Sequence, residues 1–180
     1  SMIAKSKIKN QKSNTNEGFT LLELIIVFAI ISIMSTLGIA AFVDYNRSQT
    51  LNSAALDLAN ILQLAKSRAQ SQVKPSDCSG TLDGYKVILC SPISSDCSAN
   101  DVGKAYALYF VCGGNIGDSV AAKTLPSSIS FDSTSTDTTS IFFKVLTGGV
   151  ERSGTGTIVL SGSGKTKTVT VDSSGNINSN

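Results

Sequence analysis

The chain has 180 residues, no histidine, no tryptophan and a formal net charge of +2. Without histidine, the commonest general base, the Ser-His-Asp triad and most zinc sites are excluded together. The charge is uneven: Lys5, Lys7, Lys9 and Lys12 crowd the start, whereas residues 44–180 hold eleven Lys/Arg and eleven Asp/Glu, so that part lacks the positive excess of a nucleic-acid binder and nucleic acid is not an expected partner.

Residues 2–18 are polar, lysine-rich and without periodicity, which predicts a cytoplasmic leader. From Phe19 to Val43 the run FTLLELIIVFAIISIMSTLGIAAFV carries one charge, Glu23. As a helix of about 1.5 Å per residue it reaches roughly 37 Å, enough to cross a hydrocarbon core of about 30 Å. The lysines on its N-terminal flank place that side in the cytoplasm and the rest of the chain outside the membrane. Such a chain has room for one membrane helix and one globular domain, and a two-domain enzyme is not expected.

Helical spacing continues past the apolar run. Leu51, Ala55, Leu58, Leu62, Ala65 and Ala69 recur at steps of three and four, flanked by Asp57, Asn60, Gln63, Lys66 and Arg68. One helix of about fifty residues is predicted, ending near Val73 because Pro75 disfavours helical geometry before it. Its first half is apolar all round and suits lipid or a filament core. Its second half is amphipathic and must lie against a globular partner.

After Pro75 short β-like runs alternate with Gly, Ser, Asp and Asn. Strands are predicted near Tyr85–Cys90, Ala105–Cys112, Ile129–Asp132, Ile141–Leu146, Thr157–Leu160 and Thr168–Asp172, with a last one at Asn176–Ile177. The connections read as surface loops, among them Ser133–Ser140, where every residue but Asp137 is Ser or Thr. The domains expected are a leader at 1–18, an assembly helix at 19–43, its amphipathic continuation at 44–74 and a β-rich head at 75–180, an α+β fold.

The four cysteines, Cys78, Cys90, Cys97 and Cys112, lie on the exported side of the span, and no CxxC pair occurs. They predict two disulfides made in an oxidising compartment rather than a redox motif or a zinc knuckle. Four cysteines permit three pairings. If strands 85–90 and 105–112 pair antiparallel, the end of the second returns to the start of the first. Cys112 then approaches Cys78 and leaves Cys97 to reach back to Cys90, so Cys78–Cys112 and Cys90–Cys97 are the pairs expected.

Two other patterns are weighed and set aside. Ser161-Gly162-Ser163-Gly164-Lys165-Thr166 lacks the first glycine of a phosphate loop, which would fall at Val159, and a strand-like segment follows it instead of a helix. A β-hairpin turn is the expected structure. Asp77, Asp83, Asp96, Asp101 and Asp118 match no calcium loop and read as polar turn residues, so no metal and no cofactor are expected.

The string Gly18-Phe19-Thr20-Leu21-Leu22-Glu23, preceded by lysines and followed by some twenty apolar residues, resembles the signal of type IV prepilins and pseudopilins. The resemblance implies that a prepilin peptidase cuts after Gly18, that the new Phe19 amine is N-methylated, and that the apolar helix assembles with other pilin or pseudopilin subunits. It also implies an inner-membrane assembly platform as partner, and lipid as the surrounding before assembly. The localisation implied is a single pass through the inner membrane, with the head exported and later part of a filament. A lone carboxylate such as Glu23 is costly inside an apolar span and by default has a partner; the resemblance names it as the Phe19 amine of a neighbouring subunit. Many major pilins carry a proline within the span, where this chain has Ala40 and Ala41 after Gly38. Gly38 weakens a helix by about 1 kcal/mol relative to Ala, so local melting during assembly is expected there.

Beyond the span, the series Leu125–Phe131, Ile141–Phe143, Gly154–Leu160, Val169–Val171 and Gly175–Ile177 resembles the head of GspH/FimT-type minor pilins and pseudopilins. The function expected is a structural subunit of a type IV pilus or type II secretion pseudopilus, a minor one, and not an enzyme. The alternative is a DNA-uptake receptor pilin, whose arginine-rich last turn is replaced here by Gly175-Asn176-Ile177-Asn178.

Overall fold

A computed structural model describes residues 18–90, 102–146 and 149–180, without the side chains of residues 36–38 and 40. The chain divides into two compact units, Ser1–Phe42 and Val43–Asn180. Helix α1 runs Leu21–Gln70 and continues through Gly38.

In the second unit α1 presents Leu51, Ala54, Ala55, Leu58, Ile61, Leu62, Ala65 and Ala69 to the core. Those positions fall on one face at helical spacing, and the alanines among them let strands approach closely. Among the described residues nine strands follow: β1 Leu82–Leu89, β2 Ala105–Cys112, β3 Asn115–Thr124, β4 Ser130–Phe131, β5 Ser140–Lys144, β6 Val150–Arg152, β7 Thr157–Gly162, β8 Lys165–Val171 and β9 Ile177–Ser179. They form two antiparallel sheets ordered β3-β2-β1-β5-β6 and β4-β7-β8-β9. Tyr85, Val87 and Leu89 of β1, Leu108 and Phe110 of β2, Ile141 and Phe143 of β5, Ile158 and Leu160 of β7, and Val169 and Val171 of β8 join the helix face in one core. The fold is a helix packed on an antiparallel β head, an α+β architecture.

Three readings of the sequence are corrected by this fold. Strands β3 and β6 were not expected, and both are edge strands of the larger sheet, where burial imposes no alternation on the side chains. The helix stops at Gln70, short of Val73, in a Schellman closure: the Val73 N–H reaches the Arg68 carbonyl at 3.1 Å and the Gln72 N–H reaches that of Ala69 at 3.3 Å. Gln72 holds the left-handed conformation this closure needs, with φ at 50°. Replacing it by glycine removes the Cβ penalty at some cost in chain entropy, and Gln72→Gly is expected to stabilise the head by about 0.5–1 kcal/mol. A chemical denaturation midpoint that falls in this variant would refute the account.

The third correction concerns Ser133–Ser140, which is not a surface loop throughout. Thr136 and Thr138 are buried. Thr136 Oγ1 donates to the Val159 carbonyl at 3.1 Å and accepts the Val159 N–H at 2.9 Å, while Thr138 Oγ1 accepts the Gly156 N–H at 2.9 Å. Hydroxyls therefore satisfy the edge of β7 beyond its two-residue pairing with β4. Between them Asp137 accepts the Thr155 hydroxyl, the Thr155 N–H at 3.1 Å, the Thr138 hydroxyl at 2.8 Å and the Thr157 N–H at 3.3 Å. The Thr155 hydroxyl bond is the largest cause of an Asp137 carboxyl held below its usual range, against an opposing effect of burial that is next in size. A depressed carboxylate stabilises the fold above its unfolded value of about 3.9 and loses that contribution as pH falls through the folded value. Asp137→Asn should lower stability at neutral pH and flatten its decline below about pH 4; a decline as steep as that of the parent chain would refute the role.

Candidate functional site

The N-terminal unit holds Gly18, Phe19 and Glu23 within one turn of a helix start. Gly18 is exposed, and a Cβ built on it would meet nothing within 4 Å. Phe19 is 84% exposed. Thr20 caps the helix: its hydroxyl accepts the Glu23 N–H at 3.2 Å and its carbonyl accepts the Leu24 N–H at 3.2 Å. Glu23 thus occupies the third helical position of a Thr-x-x-Glu pattern, where its charge also suits the positive end of the helix dipole. Thr20 was missed as a positioning residue in the sequence, although that pattern marks it.

Every side chain from Leu21 to Ser35 is exposed, including Leu21, Leu22, Ile25, Ile26, Phe28, Ile30, Ile33 and Met34. A surface this apolar is covered by other molecules or by lipid. The hydroxyls within it are spent on the helix itself, Ser32 on the Phe28 carbonyl and Ser35 on the Ile31 carbonyl, both at 2.7 Å, which is how a segment without water partners keeps its polar atoms satisfied. Among the described residues, no helix is long and apolar enough to cross a membrane; the span read from the sequence includes residues 36–38 and 40, whose side chains lie outside the description. Among the described residues the ion pairs are Lys123–Asp57, Lys144–Glu151 and Lys165–Asp44, so Glu23 has no cation of its own chain beside it.

The other sequence-predicted residues lie in the second unit. Cys78 and Cys112 form a disulfide with their Cα atoms 5.7 Å apart, brought together because β1 and β2 pair antiparallel with Leu82 opposite Cys112. Cys90 is also disulfide-bonded, and its expected partner, Cys97, lies outside the described residues. The segment read against a phosphate loop is the β7–β8 hairpin, with Ser163 and Gly164 at φ of 53° and 76° forming a two-residue turn between Gly162 and Lys165. Of the aspartates, Asp83 accepts the Gly114 N–H at 2.7 Å and fixes the β2–β3 turn; Asp96 and Asp101 lie outside the described residues. Among those residues no group of three or more His, Cys, Asp or Glu could hold a metal ion.

At the C-terminal turn, Asp172 accepts the Asn176 N–H and Nδ2, both at 2.8 Å, and Lys66 Nζ donates to the Gly175 carbonyl at 2.9 Å. Arg152 likewise donates to the Val171 carbonyl at 2.7 Å, so both cations are engaged with the backbone.

No curated protein and no solved structure matches the chain. Residues 13–39 match the family described as the prokaryotic N-terminal methylation motif. The matched stretch contains the Gly18–Phe19 junction, Thr20, Glu23 and most of the uncovered apolar helix. The chain therefore carries, at residues 13–39, the signal of type IV pilins and pseudopilins.

Proposed function

We propose that the protein is a minor structural subunit of a type IV pilus or of a type II secretion pseudopilus, held in the inner membrane by residues 19–43 and assembled with other pilin-like subunits through the same segment. A prepilin peptidase removes residues 1–18, the Phe19 amine is methylated, and an inner-membrane assembly platform draws the subunit into the filament. The observation that carries this reading is the uncovered apolar helix, with Glu23 in it unpaired among the described residues, directly after the Gly18–Phe19 junction of the matched motif. An isolated carboxylate is expensive in such surroundings, and a newly cut amine on a neighbour offsets that cost.

Glycine at the junction favours cutting there, since an extended backbone without a side chain enters a membrane peptidase unobstructed. In cells that contain the peptidase, the intact mass is expected to correspond to a chain beginning at Phe19 and carrying one methyl group. A mature chain that still begins at Met2 would overturn the proposal.

A further inference from the structure

The β7–β8 hairpin reaches α1 where the helix leaves the core of the head. Lys165 Nζ stands 3.0 Å from Asp44 Oδ2. Alternate residues of a strand share a face: Val169 and Val171 of β8 are buried in the core, and the same row continues outward as Lys167 and Lys165. On the helix, Arg47 lies one turn after Asp44 and one turn before Leu51, the first core residue of α1. Arg47, Lys165 and Asp44 therefore lie at this end of the head, next to an exposed turn of Ser163 and Gly164, with Lys167 one strand step further along beside Gln49, Asn52 and Leu56.

The position of this rim along the chain gives it a partner. Val43 is the last residue of the apolar run, and from there to Arg47 the helix rises about 6 Å. The headgroup layer on each side of a bilayer is about 5–8 Å thick. With residues 19–43 in the hydrocarbon, a placement that rests on the membrane-anchored reading proposed above, Asp44 to Arg47 fall in that layer, and the ion pair holds Lys165 there with them. We infer that Arg47, Lys165 and Lys167 dock onto the phosphates of anionic phospholipids on the exported face, keeping the head against the bilayer until the subunit is drawn into a filament. Ammonium and guanidinium groups make charge-assisted hydrogen bonds to phosphate oxygens. The Asp44 side chain is 66% exposed, so Lys165 can exchange it for a lipid phosphate with little desolvation. The rim is too short to track a nucleic-acid backbone, which favours the lipid as the source of phosphate.

The absence of tryptophan provides a clean reporter. Thr166 is exposed beside the turn, and in a full-length Thr166→Trp chain in phosphatidylcholine vesicles, headgroup-attached nitroxide should quench the fluorophore strongly only when phosphatidylglycerol is present. Lys165→Gln, Lys167→Gln and Arg47→Gln should each lower the ratio of docked to undocked head roughly fivefold, and high salt should abolish docking. Asp44→Asn breaks the same ion pair as Lys165→Gln but keeps every cation, so docking should persist in it. Vesicle flotation separates the two readings: a chain that fails to float with lipid overturns the anchor and the docking together. A chain that floats but is quenched equally without phosphatidylglycerol, is unaffected by the Gln substitutions, or releases its hairpin to duplex DNA at matched phosphate concentration, overturns the docking alone.

Discussion

A Glu23→Ala chain is expected to enter the membrane and fold its head normally, yet to fall at least about tenfold in its share of sheared filament protein relative to its membrane pool. The carboxylate stands about 6 Å along the helix from Phe19, among exposed Leu22, Ile26 and Val27 and with no cation of its own chain among the described residues. Once neighbouring helices exclude water, a buried pair that loses one partner costs about 3–5 kcal/mol, more than enough for a tenfold loss at about 1.4 kcal/mol per decade. On the proposed function an uncut leader is expected to have the same consequence, because it keeps the Phe19 nitrogen in a neutral amide, and cleavage would then act as the switch that permits assembly. Head folding should be spared, since the core begins at Leu51. Thr20→Ala provides the control: it removes the helix cap, a loss of about 1 kcal/mol, but leaves the charge in place, so its defect should be the smaller one. An unchanged ratio of filament to membrane pool in Glu23→Ala would show that this carboxylate does not set the register.

Removal of the Cys78–Cys112 bond should produce the largest loss of head stability. The bond spans 34 residues, and a loop of that size restricts the unfolded chain by about 4 kcal/mol. A small domain has about 5–15 kcal/mol in total, so the loss is a large share of it. The bond also ties the segment after α1 to the end of β2, and Cys112 Sγ accepts the Gly80 N–H at 3.3 Å. Cys78→Ala with Cys112→Ala should shift the guanidinium midpoint accordingly. Thiol reduction of the parent chain is a poorer test, because Cys90 is disulfide-bonded as well. A loss below about 1 kcal/mol would place the stability of the head in its core rather than in this link.

Most of the candidate site was legible because it is local. Gly18, Phe19 and Glu23 lie within six residues, and the apolar run after them is a matter of composition. Thr20 was equally local and was overlooked, since the apolar signal hid a capping pattern that needs only a spacing of three. The long helix showed itself by the period of its buried face, but its end did not: Arg68, Ala69, Gln72 and Val73 close it through backbone bonds that carry no composition signal, and no glycine stands at the left-handed position.

The sequence by itself determined the long helix followed by a β-rich head and the strands whose side chains alternate into the core, because burial of one face writes a period into the residues. Tertiary structure alone decided the rest. It made edges of Asn115–Thr124 and Val150–Arg152, where neither face is under strong pressure to be apolar. It also turned Thr136 and Thr138 inward, although nothing distinguishes them in sequence from their exposed neighbours, because the backbone of β7 needed hydrogen-bond partners that β4 is too short to supply.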